Sequence, residues 1–355
     1  MKTTTFQFLR LLITTCIFWT LAFCVFIFIR YYAIGAEEGV TVTDYSISKI
    51  LYYGVLLGLF IGTLFAIIEF LFDKLLSRNL SLGVVLLQKF VIYFIGIILS
   101  VNYIFKLAED TLDLNLTIEE GWWKNSKIFW LLVCYFIICS LIYSFIRIAN
   151  EKFGRGVFFN FLIGKYRKPR EEKRIFMFVD LQASTTIAED LGHYQYSRLI
   201  QECFNDLNGI VRRYDANIYQ YVGDEAVLSW SFKKGLRNDN CVNLYYHFQN
   251  RINRKSKIYK KKYGLVPKFK AGVHGGKLIV TEVGTVKKEI AYHGDVINTT
   301  ARIQGECNKY NEWFLISDEL LNQLSLSTNY KTKAIGDVNL KGREETLNIS
   351  AISRV

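Results

Sequence analysis

Apolar positions run unbroken over long stretches of the first 147 residues and come in short bursts between polar turns thereafter. Leu11–Ile29, Ile50–Ile68 and Ile128–Ile146 are each 19 residues without a charge, close to the roughly 20 that a helix needs to cross about 30 Å of hydrocarbon. Phe90–Phe105 is shorter, and it spans only if Lys89 snorkels and Leu82–Gln88 contributes. The pattern predicts a bundle of four transmembrane helices over residues 1–147. Arg30 and two tyrosines follow the first run where a cleavage site would stand, so a retained helix is expected instead of a signal peptide. Gly54, Gly58 and Gly62 recur every four residues, a spacing that lets helices approach closely. Glu69 and Lys89 sit near span ends, where they are expected to reach the interface, so the bundle reads as an anchor or sensor and not as a transport pathway.

Residues 148–174 form a connector. Phe153, Val157 and Phe161 fall four apart, predicting a short amphipathic helix that continues the last span, and Lys165–Arg174 reads as a basic linker around Pro169. From residue 175 to 355 strand and helix signals alternate. Ile175–Asp180 predicts a buried strand ending in a carboxylate, Ser184 and Thr185 open a helix running to about Arg213, and Asn217–Val222 pairs with Ala226–Trp230 across Gly223-Asp224.

Charge separates the halves further. Residues 1–147 are nearly balanced, whereas the remainder carries almost all of the formal +12. Acidic residues dominate the loops after the first and third spans, while Lys74, Arg78 and the residues after Arg147 are basic, which places both termini and the soluble half in the cytoplasm of a multi-pass inner-membrane protein. The most basic stretch, Arg251–Lys270, is read as an exposed helix end and loop, and no nucleic-acid partner is expected. Seven scattered cysteines without a CxxC pair predict free thiols and no zinc site.

Two aspartates presented at a strand end and a hairpin tip suit a hard divalent cation that takes its other ligands from phosphates, although aspartates at turns are common for structural reasons. Longer motifs carry more weight. FVDLQAST (178–185), YVGDEAVLSW (221–230), FKAGVHGGKLIVTEVG (269–284), YHGDVINTTARIQ (292–304) and NLKG (339–342) follow one another as in the class III nucleotidyl cyclase catalytic domain, which residues 175–355 therefore resemble. The resemblance implies an α+β domain with a ferredoxin-like core. It implies that Asp180 and Asp224 hold two Mg2+ or Mn2+ ions, that Asn298 orients the ribose and that Arg302 stabilises the charged α-phosphate. Lys341, or Arg343 in its place, contacts the terminal phosphates, and backbone amides near Ser184 and Thr185 cradle phosphate oxygens. It also implies a homodimer with sites at the subunit interface, since each site draws its aspartates from one subunit and its asparagine and arginine from the other. The usual adenine-selecting lysine and aspartate or threonine are replaced by Gln220 and Ala291, so the base stays open, with ATP favoured over GTP or a pyrimidine triphosphate. Retention of Asp180, Asp224, Asn298 and Arg302 favours an active adenylate cyclase over an inactive nucleotide-binding relative.

Overall fold

The computed structural model describes residues 2–29, 32, 47–75, 82–112, 127–153, 157–286, 288–339 and 346–355. The chain divides into two compact units, Met1–Ala149 and Asn150–Val355.

The described residues of the first unit form the helices α1 (Lys2–Ile29), α2 (Ile47–Leu75), α3 (Leu82–Leu112) and α4 (Lys127–Phe153), the last of which runs past the unit's end at Ala149. Its core is aromatic: Trp19 and Phe23 of α1, Phe65 of α2 and Phe136 of α4 are almost fully buried. Gly58 and Gly62 explain how α1 and α2 come so close. A Cβ on either would lie 2.4 Å from Thr20 Cα or 2.5 Å from Cys16 Cα, so only glycine admits the neighbouring backbone. Among the described residues three stretches are long and apolar enough to cross a membrane, Phe8–Ile29, Leu51–Phe72 and Trp130–Asn150. The fourth expected span forms a helix, α3, but its apolar stretch is the shorter Leu87–Ser100. Lys89 does not snorkel. It donates to Glu69 at 2.6 Å, and the same carboxylate is bonded by the Tyr93 hydroxyl and paired with Arg147. Glu69, expected at the interface, is instead only 1% exposed, because α3 and α4 supply the partners a buried charge requires.

The second unit opens with α5 (Val157–Leu162) and continues as β1 (Arg170–Leu181), α6 (Ser184–Val211), β2 (Asn217–Val222), β3 (Glu225–Ser231), α7 (Phe232–Leu236), α8 (Asn240–Arg254), α9 (Ser256–Tyr263), β4 (Phe269–Val283), β5 (Glu289–His293), α10 (Asp295–Lys309), β6 (Phe314–Ser317), α11 (Asp318–Leu321), β7 (Tyr330–Val338) and β8 (Leu347–Arg354). The strands form one sheet in the order β2-β3-β1-β4-β6-β8-β7, with β5 paired to β4. Among the described residues every pairing is antiparallel except β4 with β6. The β1-α6-β2-β3-α8-β4 succession with β1 between β3 and β4 is the expected ferredoxin-like core.

β1 is a central strand with both faces covered, which is why its sequence is a continuous apolar run instead of an alternation. Ile175, Met177, Val179 and Leu181 pack with α6 and α8 residues such as Leu199, Leu207 and Phe248. Phe176 and Phe178 point to the other face, with Val280 of β4 and Val296 of α10. β1 begins at Arg170, earlier than the predicted Ile175, so half of the expected basic linker is strand. The long β4 pairs with it back to Arg170, and Arg174 is buried where it donates to Glu172 and Ser229. The predicted helix across Phe153, Val157 and Phe161 appears as the end of α4 and as α5, with residues 154–156 outside the described residues.

The basic stretch 251–270 is only partly a solvated surface. Arg251 and Lys255 converge on the buried Asp206, which the Tyr259 hydroxyl also bonds at 2.9 Å. Tyr259, Tyr263 and Phe269 are core residues, so the aromatic component that would stack on bases is inside the domain.

Candidate active site

The site is built where β1 ends. Three residues after Asp180 the chain turns through Ala183, which adopts the left-handed conformation (φ 55°, ψ 36°), and enters α6 with no side-chain cap. The first amides of α6 are thereby left free of a capping side chain, the usual makings of an anion seat. Across the sheet Asp180 pairs in register with Glu225, and the Gly223-Asp224 turn sits at the tip of the β2–β3 hairpin. Gly223 has φ +60°, a conformation that glycine adopts without strain.

This folding brings Asp180 and Asp224 within side-chain hydrogen-bonding reach of one another. Burial, and then the Asp224 charge, raise the Asp180 pKa from 3.8 to about 6. Glu225 is raised to about 7 by burial first and then by Asp180 and Asp224. Gln304 of α10 donates to Asp180 Oδ2 at 3.2 Å. Tyr196 completes the surroundings: its hydroxyl lies near Ser184, and burial, followed by the charges of Asp224 and Asp180, raises its pKa. In a straight helix twelve residues span about 18 Å, so this contact depends on the break at Gly192, whose φ and ψ (69°, 159°) are not helical.

Crowded, partly desolvated carboxylates that retain protons towards neutrality form a donor set whose repulsion a divalent cation relieves, so the residues fit one. Among the described residues no group of three or more His, Cys, Asp or Glu side chains is disposed to enclose a metal. A cation here would accordingly draw further ligands from water and substrate phosphate, as Mg2+ does. The folded-state pKa values of Asp180 and Glu225 lie above their ordinary 3.8 and 4.5, so the stability these groups contribute is complete below about pH 4 and is lost as pH rises through about 6 to 7. Mn2+ is therefore expected to raise the melting temperature by about 5 °C at pH 8 and by little at pH 5, read from tryptophan fluorescence. Equal shifts at the two pH values would contradict this.

The remaining expected residues are not assembled with the aspartates. Asn298 and Arg302 sit one turn apart on α10. The buried stripe of that helix is Val296, Thr299, Thr300, Ile303 and Cys307. At about 100° per residue, Asn298 lies on the far side from the stripe and Arg302 beside it, and Asn298 is exposed. Among the described residues neither bonds to Asp180 or Asp224, and Arg302 Nη1 is buried without a hydrogen-bond partner. Gln220 is exposed on β2, and Ala291 pairs with Thr281 along β5. Ser184 and Thr185 form the first residues of α6. Lys341 and Arg343 lie outside the described residues.

Residues 167–350 match the family model described as the adenylate and guanylate cyclase catalytic domain. The chain belongs to that family. It is the class III cyclase family that the five motifs resemble. Adenylate cyclase 2 of Rhizobium meliloti (strain 1021) is 34% identical over 209 residues, covering 59% of this chain and 58% of that protein. An adenylate cyclase of Anabaena cylindrica is 24% identical over 181 residues, covering 49% and 35%. The structure of a bacterial light-regulated adenylyl cyclase superposes with a TM-score of 0.51 at 16% identity, over 61% of this chain and 64% of that one, which shows the shared fold. The chain thus spans less than two thirds of each of these proteins.

Glu225, Tyr196 and Gln304 were not among the residues expected from sequence. Glu225 and Gln304 both lie inside motifs, adjacent to Asp224 and two residues after Arg302, and that adjacency was their only signal. Tyr196 had none.

Proposed function

We propose that this protein is a membrane-anchored, homodimeric adenylate cyclase that converts ATP to 3′,5′-cyclic AMP and pyrophosphate. The observation that carries the reading is the pairing of Asp180 and Asp224 at the end of β1 in a domain of the cyclase family. ATP is favoured by the relative in Rhizobium meliloti named adenylate cyclase 2.

In the proposed reaction the ribose 3′-hydroxyl gives up its proton to water, its oxygen bonds to the α-phosphorus as the bond to the bridging oxygen of the β-phosphate breaks, and pyrophosphate leaves. Asp180 and Asp224 hold two Mg2+ or Mn2+ ions, which when bound acidify the 3′-hydroxyl and neutralise the triphosphate. Arg302 binds the α-phosphate oxygens as their charge grows, and the unpartnered Nη1 supports this role, since a buried guanidinium nitrogen without an acceptor is costly unless a ligand supplies one. Asn298, on the same side of α10, orients the ribose. The α6 amides around Ser184 and Thr185 receive phosphate oxygens, and Lys341 meets the terminal phosphates. Gln220, exposed beside the hairpin, and Ala291 lie where the base is read.

The placement of α10 supports a dimer. Its Asn298 side faces away from the core of its own domain, so a second copy is needed to bring those groups to a pair of aspartates. The three long apolar helices support anchorage in the inner membrane, and the basic residues after Arg147 support a cytoplasmic catalytic domain.

The test is a product assay on the purified full chain with Mn2+ and ATP, GTP, CTP or UTP in parallel. Cyclic AMP is expected to be the main product. Silence with all four triphosphates would overturn the enzyme reading, and a different cyclic nucleotide would overturn the base assignment alone.

A further inference from the structure

α10 is pinned to β4 along three consecutive strand residues. Lys270 donates to Asn308 Oδ1, Cys307 Sγ lies 3.5 Å from the Ala271 carbonyl oxygen, and a Cβ on Gly272 would fall 2.3 Å from Gln304 N. In register those three residues stand opposite Asp180, Val179 and Phe178 of β1. The helix is therefore held against the strand pair at the level of Asp180, and Gln304 is the residue whose side chain reaches the carboxylate, at 3.2 Å from Oδ2. Asp224 presses on the same carboxylate from the hairpin.

We propose that Gln304 is a positioning residue that holds Oδ2 of Asp180 and so leaves Oδ1 for a divalent cation. The proposal rests on the two-aspartate metal reading above. A neutral amide suits this place. A lysine would neutralise Asp180 and compete with the cation, while a carboxylate would add to the repulsion among Asp180, Asp224 and Glu225. Hydrogen bonds of this kind fix the orientation of a ligating group, and losing one typically weakens metal binding 10- to 100-fold. The placement also gives α10 two duties. One flank holds the Asp180 of its own chain, and the other carries Asn298 and Arg302 towards a partner's site.

The test compares wild type with Gln304→Met, which keeps the length and loses the donor, and Gln304→Asn, which keeps the amide but falls a methylene short. Each full chain is reconstituted in lipid nanodiscs, and Mn2+ binding is titrated without nucleotide by the electron paramagnetic resonance signal of free Mn2+. Both variants are expected to bind Mn2+ about 10-fold more weakly, with an unchanged melting temperature and an unchanged KM for ATP at saturating Mn2+. Should Gln304→Met fail to fold, Gln304→Asn decides alone. Wild-type Mn2+ affinity in a folded variant overturns the proposal. Asp180→Ala separates the two readings: if it too binds Mn2+ normally, the assignment of the metal to Asp180 is what fails.

Discussion

Asp224→Ala and Arg302→Ala proteins, each silent by itself, are expected to recover about a quarter of wild-type cyclase activity when co-expressed in equal amounts. Alone, Asp224→Ala loses a metal ligand and Arg302→Ala loses the group that meets the growing phosphate charge, a loss of about 10²- to 10³-fold. In a mixed dimer one site combines both lesions and is dead. The other combines an intact aspartate pair with an intact asparagine and arginine. Random pairing makes half of the dimers mixed, and each has one working site of two, which yields the quarter. The expectation comes from α10, which turns Asn298 away from its own core while Gln304 touches its own Asp180. A monomeric site would give no recovery at any mixing ratio. The measurement is cyclic AMP formed per milligram of total protein, with subunit exchange checked by affinity tags on the two variants.

Gly272→Ala is expected to lower kcat about 10²-fold while leaving the domain folded. A Cβ at this position would lie 2.3 Å from Gln304 N and 2.6 Å from its Cα. Both atoms are backbone, so no side chain can swing aside and α10 itself must move. Overpacking of this kind costs about 1–3 kcal/mol, which a domain of this size absorbs. The catalytic cost is larger because one helix carries Asn298, Arg302 and Gln304 together, and a displacement of about 1 Å spoils in-line attack. Circular dichroism and the melting temperature report the fold, and initial rates at saturating ATP and Mn2+ report kcat. A kcat within about threefold of wild type would show that α10 tolerates displacement, contrary to the tight seating inferred here.

Much of the second unit was legible because its signals are local. The Ile175–Asp180 run is apolar without interruption because β1 is covered on both faces, and the hairpin lies where Gly223-Asp224 divides two apolar strands. The charged start of β1 was illegible for the same reason: Arg170–Arg174 looks like a linker until β4 pairs alongside it. Glu69 is the counterpart in the helical unit. Its sequence neighbours place it near a span end, but Lys89, Tyr93 and Arg147 come from two other helices, and only their packing makes it a buried, paired carboxylate. Tyr259 and Tyr263 lie in a stretch read from sequence as an exposed helix end and loop, yet they are core residues, and Asp206 pairs with Arg251 and Lys255 of the same stretch.

Sequence alone determined the family, the apolar helices and the four residues proposed for catalysis, because motif order and hydrophobic period are properties of residues close together along the chain. Tertiary structure decided which of those residues meet. Asp180 and Asp224 are 44 positions apart and Gln304 lies 124 from Asp180, so their contact depends on strand register and on the absence of a side chain at Gly272. Asn298 and Arg302 belong to the same motif as Gln304, yet the turn of the helix sends them to the other flank. The 3.6-residue period, acting through a helix pinned to β4, separates the residue that touches the chain's own Asp180 from the pair proposed to act at a partner's site.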